Sequence, residues 1–178
     1  YKFPFGFGEI NGTHNRTNYD LSKHTEFSGV KQEYVDPVTN ERFIPYIIES
    51  TYGLDRSVLA FLFEAYTNET LEDGTTREVL KLHPYLSPYK VTVLPLVKKL
   101  HGDKATKITE MLSKSFMTMY DESGSIGKRY RRSDAIGTPF CITIDDETIN
   151  NNTVTIRDRD TMKQVTISVD DIVNYVSD

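Results

Sequence analysis

The sequence holds a single cysteine, Cys141, and no run of apolar side chains longer than the six from Val58 to Phe63. One cysteine excludes an internal disulfide and any CxxC pair. His14, His24, His83 and His101 therefore have no sulfur partner for a structural zinc, and no metal site is expected. The apolar run is far short of the roughly 18 residues that a membrane helix needs, and the opening YKFPFGFGE is not a signal peptide. A reducing, cytoplasmic setting without a membrane is expected, in which the Asn-x-Thr sequons at Asn11, Asn15, Asn68 and Asn151 are chance. An excess of positive charge is lacking too, since the net charge is -5.

What is present fits an ordinary globular chain: 178 residues, 38% hydrophobic and 26% charged, enough for one good core or two small ones. The charge is uneven. Residues 1–86 carry 8 basic and 13 acidic side chains, residues 87–178 carry 13 of each, and Lys128, Arg129, Arg131 and Arg132 fall within five positions. A partner for that cluster is anionic.

The chain is organised around IPYIIESTYGLDRSVLAFLFEAY, residues 44–66. Ile44, Tyr46, Ile47 and Ile48 are apolar at successive positions, as in a strand buried on both sides, and Glu49 follows without a break. A carboxylate there is either paired structurally or holds an ammonium group in a pocket. After Gly53 a helix begins, with Asp55 near its start and Leu54, Val58, Leu59, Leu62, Phe63 and Tyr66 as an apolar stripe. Arg56 in the first turn opposes the helix dipole. It is either the ligand arginine of a phosphate site or one half of an ion pair with Asp55 or a neighbour.

Residues 22–43 are polar and rich in turn formers, which predicts an exposed loop or hairpin, and residues 67–76 read as a solvated segment. Strands are expected over Glu78–Leu82 and Val91–Val97 with a domain boundary near residue 86, between His83-Pro84 and Ser87-Pro88. Asp103 is expected to cap a helix carrying Ala105, Ile108, Leu112, Phe116 and Met119, and a strand is expected near Phe116–Asp121. SGSIGKRYRRSDAIG predicts a turn into a helix with Ile126 and Tyr130 inward and the basic residues outward; GSIGK lacks P-loop spacing. Strands follow at Phe140–Ile144, at Val154–Ile156 and around Val165–Val169, with residues 145–152 as a turn and Asp170 capping a last helix. Helices interleaved with strands predict an α/β sandwich.

Three separated blocks then give a resemblance. EST-x-GLDR with its apolar helix resembles motif 3 of class II aminoacyl-tRNA synthetases. GEINGTHNRTNYDLSKH, upstream of it, and SGSIGKRYRRSDAIGTPFCITID, downstream, are similar to the corresponding blocks of glycyl-tRNA synthetases. The resemblance implies an α/β (α+β) chain. Residues 1–86 would be the C-terminal part of a class II catalytic domain, a remnant of its antiparallel sheet with the motif 3 helix. Residues 87–178 would be an anticodon-binding domain with a five-stranded mixed sheet. It also implies that the chain is cut from something longer, because motifs 1 and 2 lie upstream in that family.

Such enzymes activate glycine with ATP, carrying Mg2+, to glycyl-adenylate and pass the glycyl group to tRNA(Gly); the family is homodimeric. By resemblance, Arg16, Glu49, Ser50, Thr51, Tyr52 and Gly53 contact glycine, with Glu49 on the ammonium and Ser50 and Thr51 as a small polar floor. Glu9, Ile10, Gly53, Leu54, Asp55 and Arg56 contact ATP. No general acid, base or nucleophile is singled out, because positioning and charge dominate this chemistry. The chain departs from the family at Thr13-His14, where Ile-Ala is usual, and at Ser50-Thr51, where Pro-Ser is usual. Arg16 has a second possibility, an ion pair with Asp20 four residues on. Lys128, Arg129, Arg131, Arg132, Arg157 and Arg159 are expected to face tRNA, with ion pairs to Asp134, Asp158 and Asp160 as the competing possibility. A non-catalytic RNA-binding module of synthetase-like fold is the alternative function. The Glu9–Leu21 block argues against the histidyl, threonyl and prolyl relatives.

Overall fold

A computed structural model describes residues 1–177; residue 178, the last of the expected second domain, lies outside the described residues. The chain divides into two compact units, Tyr1–Ala60 and Phe61–Asp178.

In the first unit, β1 (Lys2–Phe3) and β2 (Gly6–Phe7) form a hairpin that turns at Gly6, whose φ of 125° suits glycine. β3 (Asn11–Thr17) is followed by α1 (Tyr19–Ser28), then by a small hairpin of β4 (Tyr34–Val35) and β5 (Arg42–Phe43). Asp36 shapes that hairpin's turn by accepting the N–H groups of Val38 and Thr39. β6 (Ile47–Tyr52) pairs antiparallel with β3, and α2 (Leu54–Ala65) starts two residues later.

Two expectations fail here. The β4–β5 hairpin lies within residues 22–43, read as an exposed loop or hairpin, but α1 was not anticipated. None of its residues is buried, so it has no apolar stripe to reveal it; a Lys23–Glu26 ion pair and Gly29, closing the last turn in the left-handed region, hold it instead. The strand predicted to be buried on both faces is not. Among the described residues β6 has β3 as its single partner, and Ile48 and Tyr52 are 67% and 72% exposed.

The second unit begins in the last turns of α2, which runs without a loop into β7 (Tyr66–Thr70), paired with β8 (Thr76–Leu80). β7 occupies much of the segment read as solvated coil. A 3-10 turn at Pro84–Leu86 leads to β9 (Val91–Pro95), α3 (Lys98–Leu112), β10 (Thr118–Tyr120), α4 (Ile126–Ala135) and β11 (Phe140–Ile144). α5 (Asp146–Asn151), β12 (Thr153–Asp158), β13 (Gln164–Ser168) and α6 (Ile172–Ser177) complete it.

The sheet is five-stranded and mixed, as expected. Its order is β10-β9-β11-β12-β13, with β9 parallel to both β10 and β11, and the last two strands antiparallel. Every residue of β9 is buried, and its Val91 and Val93 pack with Ala105, Ile108 and Leu112 of α3, Ile142 and Ile144 of β11 and Ile172 and Val176 of α6. No helix among the described residues is long and apolar enough to cross a membrane.

Two helices begin where the sequence did not suggest. α3 starts at Lys98, five residues before Asp103, because buried His101 reaches back and accepts the Val97 N–H at 3.0 Å. With that nitrogen accepting, the other carries the hydrogen and meets Asp146 at 3.0 Å. Residues 146–151, read as a turn, are a short helix closed by a capping box between Asp145 and Thr148.

Gly137 ends the loop after α4 with φ 82°, and a Cβ there would stand 3.0 Å from the Leu80 carbonyl oxygen and 3.1 Å from Leu82. Gly137→Ala is expected to cost about 2 kcal/mol, from left-handed strain and this contact, read as a lower urea midpoint with an unchanged slope. An unshifted midpoint contradicts this account.

Candidate functional site

The first unit's cleft is built where β6 hands over to α2. The Gly53 N–H donates to the Ile10 carbonyl at 3.0 Å, which ties the turn to the segment before β3. Arg56 Nη1 donates to the Glu9 carbonyl at 2.7 Å, so its partner is neither Asp55 nor another carboxylate among the described residues. The result is an open cleft of about 660 Å3 lined by Glu9, Ile10, Thr51, Tyr52, Gly53, Leu54, Asp55 and Arg56. The six residues assigned by resemblance to ATP thus lie together. The first-turn N–H groups of α2 have no intrahelical acceptors, and with the Arg56 guanidinium they form an arrangement suited to an anion.

On the β3–β6 ribbon, His14 lies opposite Glu49, Thr13 opposite Ser50 and Gly12 opposite Thr51. Arg16 forks onto Asp20, with two bonds of 2.9 Å, and its Nε also lies 3.4 Å from Glu49. It therefore makes the local ion pair while also standing beside the candidate ammonium acid. The hydrogen bond from Arg16, and then its charge, hold the Asp20 carboxyl below the usual aspartate range.

Side chains alternate across a strand, so Glu49 and Thr51 share one face while Ser50 and Tyr52 share the other. The common floor expected of Ser50 and Thr51 does not form. Ser50 Oγ is instead 3.1 Å from Thr13 Oγ1 and 3.4 Å from Asn11 Nδ2, and Asn11 also donates to the Thr51 carbonyl. Asn11 and Thr13 had not been assigned these bonds. Their strand pairing was the missing information.

The second unit corrects the expected basic face. Lys128 and Arg131 are exposed, and Arg132, half exposed, is fixed by Asp121 at 2.6 Å and the Ser123 carbonyl at 2.5 Å. Arg129, Arg157 and Arg159 are 5%, 6% and 3% exposed and are not part of an outward face. Arg129 bonds the carbonyls of Pro95 and Gly124 at 2.6 and 2.7 Å. Arg157 forks onto fully buried Asp134 at 2.8 and 3.0 Å, with its guanidinium carbon 4.9 Å from the Tyr130 ring centre. Arg159 bonds the carbonyls of Gly137 and Leu82 at 2.8 and 2.9 Å and pairs with Asp160.

A residue not anticipated completes the cluster. Arg77 of β8, wholly buried, reaches Asp134 at 3.2 Å and the Arg159 carbonyl at 2.7 Å, and also bonds Glu69. A buried arginine must find its acceptors inside the fold, and Arg77 finds them on Asp134, Glu69 and the Arg159 carbonyl. In α4, the spacing of Ile126, Arg129, Tyr130 and Ser133 marks the inward stripe in retrospect.

Comparison with known proteins now adds to this geometry. A family model described as an anticodon binding domain matches residues 90–178, half of the sequence. The chain belongs to that family. Along its full length it is also 55% identical to a glycine-tRNA ligase of Clostridium tetani, and over 99% of its length 59% identical to one of Geobacillus thermodenitrificans. It spans 38% of each of these relatives. A crystal structure of the RNA binding domain of threonyl-tRNA synthetase from Cryptosporidium parvum shares the fold. Its TM-score is 0.63 at 22% identity, over 82% of this chain and 34% of that one. The second unit therefore contains an anticodon-binding domain, and among the described residues no group of three or more His, Cys, Asp or Glu is placed to hold a metal.

Two outcomes follow from the ion pairs. Asp20 should titrate below the ordinary aspartate range by carboxyl NMR and move up in Arg16→Met. Because its folded value is depressed, its contribution to stability is present above the ordinary value and lost as pH falls through the lowered one. Asp134→Asn should destabilise the second unit by roughly 3–5 kcal/mol in urea unfolding, because it leaves two buried guanidinium groups without their shared anion. Arg77→Met should cost less, since the Arg157 fork survives.

Proposed function

We propose that the chain is part of a glycine-tRNA ligase, in which residues 1–86 contribute to the sites for glycine and ATP and residues 87–178 bind tRNA(Gly). The observation that carries this reading is the cleft at the start of α2, where the six residues matched to ATP contacts lie together. Arg56 and the first-turn N–H groups would hold phosphate oxygens, and Mg2+ would enter with ATP as part of the substrate. Glu49 would take the ammonium of glycine, with Arg16 beside it and the Thr51 hydroxyl on the same face. Crowding the α-carbon with these polar atoms would reject any larger side chain. The family match beginning at residue 90 lies close to a domain division at residue 86, although residues 61–86 fall within the second compact unit. The cytoplasm as compartment follows from the same reading.

For the RNA, the outward charges are Lys128 and Arg131, with Arg132 held in place by Asp121. They lie on α4, whose first turn follows the carboxyl end of β10. In open sheets with a parallel core, ligands are taken at the carboxyl ends of the strands.

The cleft is open, and among the described residues β6 has a single neighbour, so this chain by itself is expected not to form glycyl-adenylate. A glycine-dependent ATP–pyrophosphate exchange assay checks this, and robust exchange contradicts it. A non-catalytic RNA-binding module is favoured instead if tRNA binds and ATP does not protect the Glu9–Arg56 cleft from hydrogen exchange. Replacing Arg131 and Arg132 together by Glu should weaken tRNA binding about tenfold or more at low salt and flatten its salt dependence. Unchanged affinity and slope would remove this face from the interface.

A further inference from the structure

The hairpin of β7 and β8 lies beside α4, and between them runs a groove of about 340 Å3. Arg131 and Arg132 line it from the helix, and Thr76 and Glu78 from β8. Its floor is Arg77, immobilised by Asp134, Glu69 and the Arg159 carbonyl, so the two walls are fixed relative to each other. The groove is neither purely cationic nor neutral. Arg131 forms no ion pair among the described residues, and Arg132 is oriented by Asp121 and the Ser123 carbonyl. Facing them, exposed Glu78 accepts a bond from the Tyr66 hydroxyl at 3.3 Å, and the remainder of its carboxylate is open. Asp73, in the turn of the hairpin, is held low by its bonds from Thr75, and the charge of Arg131 adds to this.

A free phosphate would gain from the arginines and lose to the carboxylate, and so would a DNA backbone. A ribose-phosphate step of RNA offers both an anion and, one sugar away, a hydroxyl able to donate to a carboxylate. We propose that this groove takes one ribose-phosphate step of bound RNA, with Arg131 and Arg132 on the phosphate and Glu78 accepting the 2′-hydroxyl. This rests on the reading of the chain as a tRNA binder and adds a contact that discriminates RNA by its sugar. Arg77 acts as a positioning residue, since its own nitrogens are occupied within the fold.

The test uses the chain with tRNA pools in which each molecule carries one 2′-deoxy nucleotide, partitioned into bound and free. With the unaltered chain, 2′-deoxy substitution at one position should deplete the bound fraction about tenfold or more, the effect of losing one hydrogen bond to a charged acceptor. Glu78→Ala, an exposed change, should abolish the interference at that position and leave the rest of the profile as it was. Arg131→Gln should lower affinity and reduce the slope of log affinity against log salt by about 0.7 to 0.9. Salt-dependent binding of tRNA with a profile indifferent to Glu78 overturns the groove while leaving the tRNA reading intact. Absence of salt-dependent tRNA binding by the unaltered chain overturns that reading and the groove with it.

Discussion

Asp134 has no exposed surface, yet its carboxyl group meets two arginines that come from different strands, Arg157 of β12 and Arg77 of β8. A buried carboxylate is costly unless its oxygens are satisfied, and these accept three N–H bonds. The arrangement joins α4, the central sheet and the β7–β8 hairpin at one point. Arg159 extends it by bonding carbonyls on either side of the same junction, at Gly137 and Leu82. A hairpin that would be marginal by itself thereby becomes part of the second unit's framework. Arg129, Arg157 and Arg159 serve that framework, which leaves Lys128, Arg131 and Arg132 as the outward charges of the cluster.

The cleft in the first unit follows a different logic. Its parts are held by backbone contacts: the Gly53 N–H on the Ile10 carbonyl and the Arg56 guanidinium on the Glu9 carbonyl. The side chains are correspondingly exposed, and their electrostatics are those of groups still in water, where a bidentate pair such as Arg16 with Asp20 orders geometry more than it adds stability. This suits a site in which positioning matters more than proton transfer.

Much of the architecture was legible in the sequence because apolar spacing records it. β9, β11 and the inward stripe of α3 stand where Val91, Val93, Ile142, Ile144, Ala105, Ile108 and Leu112 placed them. Elements with little burial were not legible. α1 buries nothing, α5 is fixed by a capping box, and β7 is a strand because β8 pairs with it. The members of the first unit's cleft could be read from a local motif, Gly53 to Arg56, and an upstream block, Glu9-Ile10. Their meeting depends on two hydrogen bonds that span more than forty residues.

The sequence alone determined which residues belong to the motif-bearing turn, the periodicity of the core strands and helices, and the resemblance that assigns the second half to an anticodon-binding domain. These are local or additive properties, set by spacing along the chain. The tertiary structure decided which charges are free. Arg131 and Arg129 are two residues apart on one helix, and Arg157 and Arg159 look like an exposed pair on a strand. Which of them faces water depends on where Asp134, Pro95, Gly137 and Leu82 place their oxygens. Burial is a property of the packed fold, because a charge is retained inside only where distant parts of the chain supply its partners.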